Sequence, residues 1–84
     1  MTLSETAVTV TVTPDAQGRA LLDVACRQLC RDAGLEAGAT ERLCQSLAGA
    51  LAAMAADVPD WSLTFDGGDG HLRIARQGQV VAEE

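Results

Sequence analysis

Residues 61–76 read WSLTFDGGDGHLRIAR, and this stretch decides the fold. Large apolar side chains alternate with polar ones over residues 61–65 and again over residues 71–76, the period of two that is typical of half-buried β-strands. Between the two runs, DGGDG at 66–70 has the composition of a turn. The pattern therefore predicts a β-hairpin. Its inward side chains are Trp61, Leu63, Phe65, Leu72 and Ile74.

A helix is predicted over residues 16–33, which place apolar side chains at the i, i+3, i+4, i+7 spacing of one buried face. Asp15 is the predicted N-cap, and Gly34 supplies the C-terminal stop. On the solvated side, charged residues lie four apart, so Asp23 should pair with both Arg19 and Arg27. These charged residues are Arg19, Asp23, Arg27 and Arg31.

A second helix is predicted to begin at Thr40 as N-cap and to run to about Ala56. Glu41 in its first turn is favourable to the helix dipole. Small residues dominate the stretch, so another backbone could approach it closely. The predicted apolar stripe is Leu43, Leu47, Ala50, Leu51 and Met54.

Both ends of the chain are also predicted to form strands. Residues 6–13, TAVTVTVT, alternate valine with threonine, and β-branched residues at a period of two indicate a half-buried strand. Residues 77–79 should turn the chain once more, so that residues 80–82 add a short final strand. Glu83 and Glu84 are expected to form a frayed end.

The order of these elements predicts an α+β fold, a two-layer β-α-α-β-β(-β) sandwich with both helices on one face of a small mixed sheet. Residues 1–84 are expected to form a single domain, and a core of this size is marginal for independent stability. The predicted core residues are Val8, Val10, Leu22, Leu29, Leu47, Leu51, Trp61, Leu63, Leu72 and Ile74.

The composition argues against several classes of function. With 6 basic and 12 acidic residues the net charge is −6, which disfavours binding to nucleic acid or an anionic membrane. The N-terminal residues lack the basic and continuous apolar segments of a signal peptide, and no apolar run is long enough to span a bilayer. Three cysteines do not make a secreted disulfide framework, so we expect a cytoplasmic protein.

The three cysteines are candidates for a metal or redox site. Cys26 and Cys30 lie one turn apart on the first predicted helix, with Cys44 and His71 as further candidates. Structural zinc normally uses closer C-x-x-C pairs on loops, whereas cysteine is among the most buried residue types. We therefore predict core packing and no metal site, with a cysteine-based metal or redox module as an alternative.

The DGGDG stretch also has the D-x-G-x-G form of a nucleotide-contacting loop. In that interpretation Asp66 would reach a base, and Gly68 and Gly70 would allow the ligand to approach closely. Asp and Gly are equally favoured in hairpins because they tolerate positive φ. We therefore predict a turn and no cofactor, with a small nucleotide-binding domain as a second alternative.

His71 is the only histidine and the natural candidate for acid–base catalysis. A general base needs an orienting partner and a nucleophile within reach, and no spacing singles out Ser62 or Asp69 for these roles. We predict that His71 is exposed to solvent and that the protein has no catalytic residues.

The outward face of the predicted sheet carries small polar side chains and little charge. It is either an ordinary exposed β face or a surface that docks a protein partner, with an open strand edge or self-association as further possibilities. The candidate partner-binding residues are Thr9, Thr11, Ser62, Thr64, His71 and Arg73.

The stretch from residue 18 to residue 78, GRALLDVACRQLCRDAGLEAGATERLCQSLAGALAAMAADVPDWSLTFDGGDGHLRIARQG, resembles the anti-sigma-factor serine-kinase branch of the histidine-kinase-like ATPases. The resemblance covers about residues 7–80 and lies in the order of elements and the hydrophobic pattern. It implies a first strand, an Arg-containing helix ending in a Gly-Leu turn, a second helix with the ATP motif, and a hairpin leading to an Asp-x-Gly box.

Several positions depart from that family's pattern. The Glu and the magnesium-binding Asn that the resemblance implies on the second helix would fall on Leu47 and Leu51, or on Ala48 and Ala52. The Asp-x-Gly box would fall on residues 76–78, where Arg replaces Asp. We therefore expect a reduced, degenerate relative: a non-catalytic regulatory or protein-interaction module of bacterial type, with an unknown protein partner and self-association as a homodimer.

Overall fold

The computed structural model describes residues 7–54 and 57–84. The sequence predictions for Thr6, at the start of the first strand, and for Ala56, at the end of the second helix, lie outside these residues. The described elements follow the predicted order. They are β1 (Val8–Val12), α1 (Ala16–Ala33), α2 (Ala37–Ala53), β2 (Trp61–Gly68), β3 (His71–Arg76) and β4 (Gln79–Glu83).

The α+β fold is confirmed, and its two helices pack against one face of a four-stranded sheet. The strand order is β1-β2-β3-β4, and all three neighbouring pairs are antiparallel. The expectation of a mixed sheet was therefore wrong. Two consecutive helices return the chain to the end of the sheet at which β1 finished, so β2 runs back antiparallel to β1 without a crossover.

Both hairpins of the sheet close through two-residue turns. Asp69 and Gly70 have φ of 55° and 83°, and Gln77 and Gly78 have φ of 53° and 81°. Positive φ at both central residues is the property of type I′ turns, whose twist matches that of the flanking strands. The turn predicted over residues 66–70 is thus shorter than expected, because β2 continues through Gly68 and pairs it with the first residue of β3.

The caps predicted for α1 are confirmed. The carboxylate of Asp15 accepts a hydrogen bond of 2.9 Å from the backbone N–H of Gly18, and Gly34 adopts the left-handed conformation. That bond and a second one donated by the Thr13 hydroxyl hold the pKa of Asp15 below its ordinary value, since both favour the ionised form.

The predicted start of α2 was wrong. This helix begins at Ala37, with Glu36 in the N-cap position, so it starts earlier along the chain than predicted. Thr40 does not cap the helix: its hydroxyl donates to the carbonyl oxygen of Glu36 one turn earlier, at 3.0 Å. Threonine can make this bond inside a helix as readily as it caps one, so the residue type alone did not fix the boundary.

The core lies between the helices and the sheet. Seven of the ten predicted core residues are buried, while Val10 and Leu29 are half-buried and pack against the cluster. The prediction that Val8 belongs to the core was wrong. This residue is 41% exposed, because it lies at the start of an edge strand that has a neighbour on one side only. The buried hydrophobic residues are Val12, Leu22, Cys26, Cys30, Leu43, Cys44, Leu47, Leu51, Trp61, Leu63, Phe65, Leu72, Ile74 and Ala82.

The last two residues are ordered into the sheet, contrary to the frayed end that was expected. The backbone N–H and carbonyl of Glu84 each bond to Leu72 at 3.0 Å. The carboxylate of Glu84 accepts from Arg42 of α2 at 3.1 Å, and that of Glu83 pairs with Arg73. Main-chain bonding to β3 thus holds the chain to its last residue.

Candidate functional site

The six predicted partner-binding residues lie together on the side of the sheet opposite the helices, here called the open face. Strand register places Thr9 opposite Thr64 and Thr11 opposite Ser62. Their hydroxyl oxygens lie 3.1 Å and 3.0 Å apart, so the four side chains form two cross-strand hydrogen bonds. The hydroxyls are thus hydrogen-bonded to one another, and their short side chains form a flat, uncharged surface over β1 and β2.

Charge on the open face is concentrated towards β3 and β4. Arg73 donates to the carboxylate of Glu83 at 3.3 Å, and it also stands opposite Asp66 in the β2–β3 pairing. His71 is exposed, as predicted, and stands opposite Gly68. The open face therefore has a neutral hydroxyl half and a charged half.

Sequence reasoning missed two apolar members of the open face. Ala75 stands opposite Thr64, and Val80 stands opposite Ala75 with 48% of its surface exposed. Val80 reaches this face because a bulge between Ile74 and Ala75 shifts the register of β4. A bulge inserts one unpaired residue and so reverses the facing of the residues beyond it in the strand. Simple alternation along the sequence gives no sign of it.

All three cysteines are buried and free. The thiol of Cys44 lies 3.7 Å from that of Cys26, between α1 and α2. Burial is the main cause that raises the pKa of Cys26 and also that of Cys30, because the thiolate loses its hydration. Within residues 7–54 and 57–84, no group of three or more His, Cys, Asp or Glu side chains is arranged to hold a metal ion.

We expect the thiols to react with iodoacetamide at neutral pH only through the small population of unfolded chains. Cys26 and Cys30 are fully buried and their thiolates are disfavoured, while Cys44 is 4% exposed. Alkylation should therefore be slower than that of the unfolded chain by at least about a thousandfold, in line with the folded population of a stable domain. Mass spectrometry of samples labelled over a series of urea concentrations measures the rate of alkylation. Rapid labelling of a single site in native buffer would contradict this expectation.

The DGGDG stretch is divided between a strand and a turn. Asp66 and Gly68 belong to β2, whereas Gly70 lies in the turn. The backbone N–H of Gly70 donates to the carbonyl of Ala33 at 2.7 Å, which attaches the hairpin to the end of α1. This stretch thus has a structural use in the fold, as the prediction of a turn required.

The α2 positions at which the resemblance implies ATP-site residues hold apolar side chains. Leu47 and Leu51 are buried in the core. Ala48 and Ala52 are exposed and line a groove of about 260 Å³ between the two helices. The equivalent of the Asp-x-Gly box, at residues 76–78, includes the turn between β3 and β4. The four α2 side chains carry no metal-binding or acid–base group, and Arg76 stands where the resemblance implies Asp.

Arg19 and Asp23 form the charged side of that groove, but the predicted pairing is only half correct. Asp23 pairs with Arg27 at 3.1 Å, and Arg27 also reaches Glu41 of α2 at 2.6 Å. The guanidinium of Arg19 instead lies 5.7 Å from the ring centroid of Trp61. A cation over an indole face is favourable, and this contact joins two elements that sequence spacing could not relate.

Comparison of the chain with protein-family models, with curated proteins and with solved structures finds no match. Among the described residues, no helix has the length and apolar character needed to cross a membrane.

Proposed function

We propose that this domain is a non-catalytic regulatory module of the cytoplasm that binds a protein partner through the open face. The observation that carries the proposal is the pair of hydroxyl bonds joining Thr9 to Thr64 and Thr11 to Ser62 on a face that no described helix covers. Three free cysteines fit a reducing compartment.

The open face suits docking because its central side chains are short. Thr, Ser and Ala lose little conformational entropy when a partner covers them, whereas the long Lys and Glu side chains common on solvated sheets lose much more. Their hydroxyls can also exchange a bond within the sheet for one to the partner. A partner can thus approach the backbone of β1 and β2 closely.

The charged half of the open face would orient the partner. Arg73 and Glu83 are each about half exposed and lie at one side of the hydroxyl surface. Rim charges contribute to the rate and direction of encounter more than to affinity. A partner with complementary charges at one end would therefore dock in one orientation.

The resemblance to anti-sigma-factor serine kinases points to partner switching as the kind of regulation. The positions implied for the base and the magnesium ligand hold Leu47 and Leu51, both buried in the core. Neither side chain can move a proton or bind a cation. A non-catalytic role is supported because these two residues of α2 pack in the hydrophobic core.

The test is affinity capture with variants of the open face. Ser62→Lys adds a charge to the open face and Arg73→Glu reverses one, while Gln45→Lys is the matched control at an exposed position of α2. A partner retained by the native protein and by the Gln45 variant should bind the Ser62 variant at least about 30-fold more weakly, the loss typical of a hot-spot position. Equal binding by all variants, measured with the purified partner, would show that the open face is not the docking surface.

A further inference from the structure

The outer edge of β1 is unpaired within residues 7–54 and 57–84, because β1 stands at one end of the strand order. Its sequence, VTVTV, has no charge, no proline and no glycine. Proteins usually protect such an edge with a charge, a proline or a bulge. β1 has none of these, so its free N–H and carbonyl groups are available to another strand.

An apolar flank of α1 adjoins this edge. α1 contacts β1, and α2 lies against the opposite flank of α1, where Arg27 meets Glu41. The flank away from α2 therefore lies on the β1 side. It carries Leu21, which is 52% exposed, and Val24, which is 66% exposed. Together with Val8, these are three of the four large hydrophobic residues that are exposed among the described residues.

The charge of the chain limits what can approach this edge. With a net charge of −6, two copies repel each other over most of their surface. The edge is an exception: Val8–Val12 is uncharged, and so are Gln17, Val24 and Gln28, which are exposed on α1 beside Leu21. One turn further along α1, the carboxylate of Asp32 accepts from Gln28 at 3.1 Å, so the charge-free part of the flank ends there. A second copy can therefore meet this surface without placing like charges together.

We propose that the partner of this edge is a second copy of the same chain, paired through β1 antiparallel to β1. VTVTV reads the same in both directions, so a two-fold axis at Val10 places Val8 opposite Val12 of the other copy and Thr9 opposite Thr11. Every valine then meets a valine on the helix side, and every threonine meets a threonine on the open face.

The threonine pairs across the axis resemble the Thr9–Thr64 pair that the structure already contains, and the valine pairs are apolar like those of β1 with β2. Within the chain, Thr9 and Thr11 bond to hydroxyls of β2, and Val12 stands opposite Trp61 on the helix side. A slip of one residue would set the inward valines of one copy against the outward threonines of the other, which the pleat of an antiparallel pair does not allow. The register centred on Val10 pairs all five residues, and it brings the outer flanks of the two α1 helices, with Leu21, towards each other.

The dimer extends the sheet to eight strands, four from each copy, and joins the two open faces. The dimer forms through the edge of β1 and the flank of α1, whereas the partner of the proposed function binds the centre of the open face. Arg73→Glu should weaken partner binding and leave the dimer intact. Failure of one proposal is therefore distinguishable from failure of the other.

Sedimentation equilibrium of the native protein and of two edge variants tests the dimer. Leu21→Glu and Val8→Lys place charges on exposed residues of the proposed interface. Each should raise the dimer dissociation constant at least about 30-fold. Val80→Lys is the matched control, since Val80 is similarly exposed on the other edge strand and should leave the constant unchanged.

Amide hydrogen exchange of the native protein gives a second readout that does not depend on any variant folding. Exchange at residues 8–12 should slow as the concentration rises, while exchange at residues 79–83 should not change. A native protein that stays monomeric at about 1 mM would overturn the proposal, since even weak specific pairing is populated there. A dimer that the Val80 variant disrupts as strongly as the Leu21 variant would also overturn it.

Discussion

Replacing Gly18 with alanine should destabilise the protein by about 3 kcal/mol, a large part of the roughly 4 to 13 kcal/mol expected for a domain of this length. A Cβ built on Gly18 overlaps the carbonyl oxygen of Thr13 and lies 3.1 Å from a methyl group of Val12. The first contact is with backbone, which cannot rotate away. Relief would therefore require α1 to move from the end of β1, although alanine favours the helix by only about 1 kcal/mol.

Gly49→Ala is the matched control for Gly18→Ala. Gly49 also lies in a helix interior, but apart from its chain neighbours and the adjacent backbone of α2 no atom of the described residues comes within 4 Å of its built Cβ, and the residue is exposed. This change should raise the free energy of unfolding by up to about 1 kcal/mol, because only the helix propensity changes. Urea denaturation followed by the fluorescence of the single tryptophan measures both variants. Equal effects of the two changes would contradict a close contact at Gly18.

Elements whose signal is local were predicted well from the sequence. The boundaries of α1 came from Asp15 and Gly34, whose side chain and backbone act within one turn of the helix. The inward side chains of β2 and β3 followed from strict alternation. In both cases the information lies within a few residues of the structure it specifies.

Features that depend on distant parts of the chain were predicted less well. The exposure of Val8 follows from the edge position of β1, and the contact of Arg19 with Trp61 joins residues 42 positions apart. The bulge at Ala75 turns Val80 towards the open face through pairing, with no signal in residue type. Tertiary context, which a short window of sequence does not contain, decides each of these.

The candidate site was predictable in its membership but not in its internal bonding. Alternation alone assigns Thr9, Thr11, Ser62 and Thr64 to one side of the sheet. That the hydroxyls meet in pairs depends on the register of β1 against β2, and the bonded residues are 51 and 55 positions apart in the sequence. Binding of a partner by this face stays a prediction.

Trp61→Ala should lower the free energy of unfolding by about 3 to 5 kcal/mol, which is close to the whole stability of a marginal domain. Trp61 is fully buried at the start of β2, with Val12 opposite it and the guanidinium of Arg19 near its ring. Removing the indole leaves a cavity that β-sheet backbone cannot collapse to fill, and Arg19 loses its aromatic partner. Circular dichroism in urea measures the change, since the variant lacks the fluorescent reporter.

Two further variants show whether that loss comes from the core. Trp61→Phe keeps an aromatic ring, so it should lower the free energy of unfolding by less than half as much as Trp61→Ala does. Val80→Ala removes a half-exposed apolar side chain from β4 on the opposite side of the sheet, and should cost about 1 kcal/mol or less. If Trp61→Ala and Val80→Ala lower the free energy of unfolding equally, the indole does not support the helix–sheet packing, because the Trp61 change removes a larger side chain that is fully buried. We expect the loss of stability to be largest for Trp61→Ala, smaller for Trp61→Phe and smallest for Val80→Ala. This order would show that the fold depends mainly on the buried indole next to Arg19. Residues of the open face could then change with little loss of stability.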